Sequence, residues 1–146
     1  MAKSEEVIDI GTDPKVARDV AEQDFTRFLT MMGIQIDTSD LNDDEKSTFA
    51  ENRNRIVDCM MRGSIVVNQI GQILFTPERS ENNKEITFYE PTGSALMQMD
   101  RKQKDHDVAK MYNLMAAITK EHPSRFTNLM MNDVRVCMAV ASLFLA

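Results

Sequence analysis

At Ser64 the apolar residues of this chain change their spacing, and that change constrains the fold more than any other feature. Upstream, Ala17, Ala21, Phe25, Phe28 and Met32 follow helical spacing, and Phe49, Ile56, Val57, Met60 and Met61 form a second stripe. Residues at such intervals share one helix face. Downstream, Ile65-Val66-Val67 and Ile73-Leu74-Phe75 are short strand-like runs flanking Gln69-Ile70-Gly71, where Gly71 can take the left-handed backbone of a hairpin turn. A third run, Glu85–Tyr89, places Ile86 and Phe88 on one face and ends at the Glu90-Pro91-Thr92-Gly93 turn. Three short strands do not stand alone, so a helical layer must cover their apolar face.

Local signals punctuate the helices. Asp13-Pro14 reads as an N-cap followed by proline in the first turn, and Gly33 as the stop. Asn42-Asp43-Asp44-Glu45 starts the second helix, with Glu45 at the capping-box position, and Gly63 ends it. Pro77 to Lys84 is a polar loop. Ala95, Leu96 and Met99 indicate a short helix. Asp105 or Asp107 begins another with Val108, Met111, Tyr112, Met115 and Ile118 on one stripe, broken by Pro123. Ser124 then caps a short turn carrying Phe126 and Leu129, and Asn132 caps a last helix through Val136, Cys137, Val140, Ala141 and Phe144. The expected fold is α+β: an N-terminal helical hairpin, a small antiparallel β-sheet of two to three strands, and C-terminal helices packed on it. Residues 1–12 are expected to be a mobile lead, 13–63 an acidic helical hairpin, and 64–146 an α+β region.

Charge separates the same two parts. Residues 1–60 hold 14 Asp and Glu against 7 Lys and Arg, whereas residues 61–146 hold 9 against 10. Nucleic-acid binding needs clustered positive charge, so no nucleic-acid partner is expected. The one basic cluster, Arg101, Lys102 and Lys104, runs straight into Asp105 and Asp107 and reads as a solvated helix boundary. The longest apolar run, Val136 to Ala146, is interrupted by Ser142 and falls short of the ~20 residues of a membrane span, so no membrane partner is expected either. The acidic start, MAKSEEVIDIG, has no apolar core of a secretory signal. Two lone cysteines, Cys59 and Cys137, favour a reducing compartment.

Catalytic and metal patterns are missing from the sequence. His106 and His122 have no second ligand at zinc spacing, and no metal or other cofactor is expected. Asp40, Asp43, Asp44 and Glu45 lack the order and the glycine of a calcium loop and serve helix capping instead. The five glycines lie scattered at element ends, so no phosphate-cradling loop exists. Both cysteines fall on apolar helix stripes as structural thiols. The chain is expected not to be an enzyme.

Methionine stands out: twelve Met against nine aromatics and no Trp. Either Met replaces Leu in the core, or some members of the pairs Met31-Met32, Met60-Met61 and Met130-Met131 lie on an interface. Neighbours on a helix point about 100° apart, so both rarely face one core. Flexible thioethers suit a surface that accepts varied apolar partners.

One stretch resembles a known family. Ile73-Leu74-Phe75-Thr76-Pro77, a polar loop, Ile86-Thr87-Phe88-Tyr89-Glu90-Pro91-Thr92-Gly93, then Leu96 and Asp100, is similar to the core of the tail assembly chaperones of tailed bacteriophages, especially the Mu-like group. Phe126, Leu129, Asp133 and the closing Leu143-Phe144-Leu145 continue the likeness, which spans residues 64–146; residues 1–63 have no counterpart in that core. The resemblance implies a protein of the host cytoplasm that coats the tape measure protein and shields its long apolar helices until tail tube protein replaces it. Members often also have a longer product made by ribosomal frameshifting. The tail tube protein and further copies of the chain, as a homo-oligomer, are additional candidate partners. An adaptable apolar groove would serve this role, and its expected lining is Met97, Met99, Met111, Met115, Met130 and Met131, with Phe126 nearby. Replacing Met111 and Met115 together by Glu is expected to abolish client binding and leave the fold intact. Two other readings compete: a tail structural or connector component retained in the virion, and a generic helical protein-protein adaptor. A DNA-binding version of the last is disfavoured because the final helix carries only Arg135.

Overall fold

The computed structural model describes residues 15–100 and 107–145. The lead expected at residues 1–12 and the Asp13-Pro14 helix start lie outside them. Helix α1 spans Arg18–Met31 and α2 spans Asp43–Arg62. Strands β1 (Ile65–Val67), β2 (Ile73–Phe75) and β3 (Ile86–Phe88) follow, then α3 (Gly93–Asp100), α4 (Asp107–Thr119), α5 (Ser124–Thr127) and α6 (Met131–Leu143). The fold is α+β, as expected.

Helix α1 begins later than Pro14 for a tertiary reason. Lys15 and Val16 stay out of the helix and donate their N–H groups to the carbonyl of Met61, at 2.8 and 3.2 Å. That carbonyl, in the last turn of α2, lacks an intrahelical partner. Helix α2 starts as its sequence dictates: the Asn42 side chain accepts from Glu45 N–H, and the Glu45 carboxylate accepts from Asn42 N–H. It stops at Gly63, whose φ of 86° is costly for any residue with a Cβ. Ser64 N–H reaches back to the Cys59 carbonyl at 2.9 Å, which turns the chain directly into β1.

The sheet is an antiparallel meander in the order β1-β2-β3, with Ile65 opposite Phe75 and Ile73 opposite Phe88. Period-two alternation then buries Ile65, Val67, Ile73, Phe75, Ile86 and Phe88 on one face. The β1–β2 turn is held by Asn68, whose side-chain oxygen accepts from the N–H groups of Ile70 and Gln72. Gly71 closes it at φ 86°, and a Cβ there would lie 2.5 Å from the Cβ of Met31 on α1. Glycine therefore meets two demands at once, a left-handed backbone and close approach of a helix.

A single core joins both sequence regions. Ala21, Phe25 and Phe28 of α1 are buried with Ile56, Val57, Cys59 and Met60 of α2, the inner sheet face, and the inner stripes of α4 and α6. The Phe28 ring meets Phe144, just beyond α6, edge to face at 5.7 Å. Arg53 lies over Phe25 and holds Glu22 at 3.1 Å, tying α2 to α1. Residues 15–63 are therefore packed into the α+β layer rather than set apart from it.

Four local expectations need correction. Helix α6 has Met130, not Asn132, at its N-cap; Asn132 lies inside the first turn, where its side-chain oxygen faces the Arg79 guanidinium. His122 Nδ1, not Ser124, accepts the N–H that starts α5. Val108, expected on the buried stripe of α4, is exposed. Helix α4 is not broken by Pro123: it ends at Thr119, because Lys120 takes a φ of 59° three residues before the proline. The Lys120 ammonium stands 4.2 Å over the Tyr89 ring.

The polar loop after β2 is anchored by a buried carboxylate. Asp133, in the first turn of α6, is 1% exposed. Its oxygens accept from Glu78 N–H at 2.9 Å, Arg79 N–H at 3.0 Å and Ser80 Oγ at 2.6 Å. Ser80 Oγ in turn accepts from Met130 N–H, giving α6 the cap that Met130 cannot supply from its own side chain.

Candidate functional site

The connection between α1 and α2 carries apolar residues that a plain linker does not need. It is shaped by Asp37, whose Oδ1 accepts from Ser39 N–H and Oγ at 3.0 and 2.5 Å and so sets a single helical turn, Thr38–Asp40. These two hydrogen bonds hold the Asp37 carboxyl below its ordinary pKa. The turn leaves Ile36 and Leu41 half-buried beside Phe49, on the second turn of α2, and Leu143, at the end of α6. Between them opens a cleft of about 410 Å³.

The cleft does not end at α2. Asn52 donates to Ser142 Oγ at 3.2 Å across the α2–α6 seam, and both residues also wall a second hollow of about 240 Å³. Met111 of α4 and Met138 of α6 line that hollow, between Arg55 and Arg135. The two depressions share Asn52 and Ser142 as walls and lie end to end along the α2–α6 seam, with the Asn52–Ser142 hydrogen bond between them. The larger of the two is lined mainly by apolar side chains, the kind of surface on which an amphipathic helix docks through residues spaced three and four apart.

The structure divides the seven residues expected to bind a client. Met115 and Phe126 are completely buried in the core, so they cannot meet a partner. Stripe position explains this: α4 turns Met115 inward between Leu114 and Ile118, and α5 is too short to expose Phe126 while anchoring itself. A Glu at position 115 would be an unpaired buried charge, so the expectation that the Met111/Met115 double substitution spares the fold is corrected as well. Met97, Met130 and Met131 are exposed, at 66%, 57% and 59%, but do not line the groove. The side chain of Met99 is outside the described residues. Met111 alone, half-buried, belongs to the groove. Ile36, Leu41 and Phe49, half-buried along the larger cleft, were not among the expected residues; Leu143, 2% exposed, backs the cleft from the core. The visible signal was the pair of isoleucines, Ile34 and Ile36, inside a segment too short to need a core of its own.

Other reactive groups are structural. Burial pushes the thiols of both Cys59 and Cys137 above the ordinary range and keeps them protonated. The Arg62 guanidinium grips Glu78 through Nε at 2.8 Å and Nη2 at 3.0 Å beside Cys59, fastening α2 to the loop that Asp133 anchors. Among the described residues, no group of three His, Cys, Asp or Glu side chains is placed to hold a metal ion, and no helix is long and apolar enough to cross a membrane. No protein-family model, curated protein or solved structure matches the chain.

Proposed function

We propose that this protein is a phage tail assembly chaperone that holds an amphipathic helix of the tape measure protein in the groove along the α2–α6 seam. The observation that carries the reading is the open apolar cleft between Ile36, Leu41, Phe49 and Leu143, continued past Asn52–Ser142 to Met111 and Met138. A long client helix exposes an apolar stripe that aggregates unless covered. A groove of a few half-buried aliphatic, aromatic and thioether side chains covers it without demanding one sequence. The same openness makes each contact weak enough to be released when tail tube protein replaces the chaperone. The resemblance of residues 64–146 to tail assembly chaperones supports the identity of the client; the groove supports the mode of binding. The site of action is the host cytoplasm, and the role requires neither catalysis nor a cofactor.

Co-expression with the tape measure protein, followed by size-exclusion chromatography with light scattering, tests the reading. The expected result is a soluble complex carrying many copies of this chain on a client that precipitates alone. Phe49→Asp is expected to abolish the complex. A client that still precipitates beside the folded wild-type chain would overturn the proposal.

A further inference from the structure

The two ends of the seam carry opposite charge, and at neither end do the charged wall residues form an ion pair among the described residues. At the cleft end the charged wall residues are Asp37, Asp44 and Glu45. Asp37 and Glu45 each use one oxygen in local hydrogen bonds, and none of the three forms an ion pair among the described residues. At the far end Arg55 and Arg135 flank the methionines, without an ion pair among the described residues, although Arg55 also lines a hollow on α2 with Glu51 and Asp58. Elsewhere Arg18, Arg27, Arg53, Arg62 and Arg125 each hold a carboxylate, while Arg79, like the two arginines of the seam, holds none among the described residues. Helix capping accounts for acidic residues at the start of α2, but not for an apolar groove that runs from unpaired carboxylates to unpaired guanidiniums.

We infer that the groove selects an amphipathic helix whose charges are segregated, with lysine or arginine beside its apolar stripe at one end and glutamate or aspartate at the other. The inference rests on the groove being a helix-binding site and adds the order of charges on its occupant. From Glu45 to Arg55 the seam follows ten residues of α2, about 15 Å at 1.5 Å per residue. The matching stretch of a docked helix is therefore about three turns, long enough to separate the two charge blocks. Complementary rim charges set register and direction and exclude helices of the wrong pattern. One direction of docking brings cations over Asp37, Asp44 and Glu45 and anions over the arginines. The reverse direction sets like charges against each other at both ends.

The test uses the full chain and three synthetic helical peptides with one shared apolar stripe: lysines in one half and glutamates in the other, lysines throughout, or glutamates throughout. Fluorescence anisotropy at about 50 mM salt is expected to show the segregated peptide binding about five- to tenfold tighter than either uniform one. At about 1 M salt, where screening acts within ~3 Å, the preference should shrink below about twofold. D37N/D44N/E45Q retains the capping acceptors and is expected to erase the advantage over the all-glutamate peptide alone. R55Q/R135Q is expected to erase the advantage over the all-lysine peptide alone. Equal affinity for all three peptides, each lost in Phe49→Asp, overturns the charge order and leaves the groove standing. No binding by any peptide, or binding untouched by Phe49→Asp, overturns the groove reading itself.

Discussion

Helix α6 is finished in opposite ways at its two ends. At its start the buried Asp133 carboxylate takes three hydrogen bonds from the loop after β2, and Ser80 closes the remaining N–H of Met130. At its end Leu143 borders an open cleft, and Asp37, Asp44 and Glu45 around it form no ion pair among the described residues. A polar group out of contact with water must find a partner inside the protein, so the first end is closed and specific. Half-exposed apolar side chains and solvated charges carry no such obligation, so the second end is open. The comparison teaches that this small protein separates the place that fixes its shape from the open cleft proposed to receive a partner.

The strongest way to break that comparison is to put charge into the closed part. Met115→Glu is expected to abolish folding, whereas Met111→Glu should leave the circular dichroism spectrum and cooperative melting in place while weakening client binding. Two equally stable variants would contradict the assignment of Met115 to the core. Next in size, Asp133→Ala strands Glu78 N–H, Arg79 N–H and Ser80 Oγ. Its expected cost is about 3–5 kcal/mol, read from urea unfolding; a loss below about 1 kcal/mol would mean that the loop does not depend on this carboxylate.

The open end should respond the other way round. Phe49→Asp is expected to lower stability by only about 1 kcal/mol, since its ring is half-exposed, while removing client binding in pull-down. Arg62→Ala removes a partly exposed two-point ion pair and should cost roughly 0.5–1 kcal/mol, without effect on peptide affinity. The smallest effect is alkaline. Cys59 and Cys137 have thiol pKa values raised by burial from 9.0, so the unfolded chain loses these protons first as pH rises. Stability from this source is intact below about pH 9 and declines above it. A urea midpoint measured between pH 8 and 10.5 should fall less in a Cys59→Ala/Cys137→Ala variant than in the wild type.

What was legible in the sequence was local. The switch of period at Ser64, the Asn42–Glu45 capping box, and the turn at Gly71 each depend on residues within four positions of one another, and the structure has all three. Features assembled from distant residues were not legible. Asp133 looked like one more acidic residue in a first turn because its partners lie 53 to 55 positions earlier. The start of α1 moved because Lys15 answers a carbonyl at Met61. Met115 and Phe126 have the composition of a binding surface, and only packing shows that they face inward. The groove takes its walls from residue 36 to residue 143, so no window of sequence contains it.

The edge-to-face contact of Phe28 with Phe144 has a consequence for how the protein is made. The two rings are separated by 116 positions, and a ribosome adding about 5–20 residues per second needs roughly 6–23 seconds to deliver the second after the first. For the later part of that interval α1 and α2 have both been made while α6, which packs on them, has not. Each newly made copy therefore passes through a stage in which its own helices are as uncovered as those of the client proposed for it.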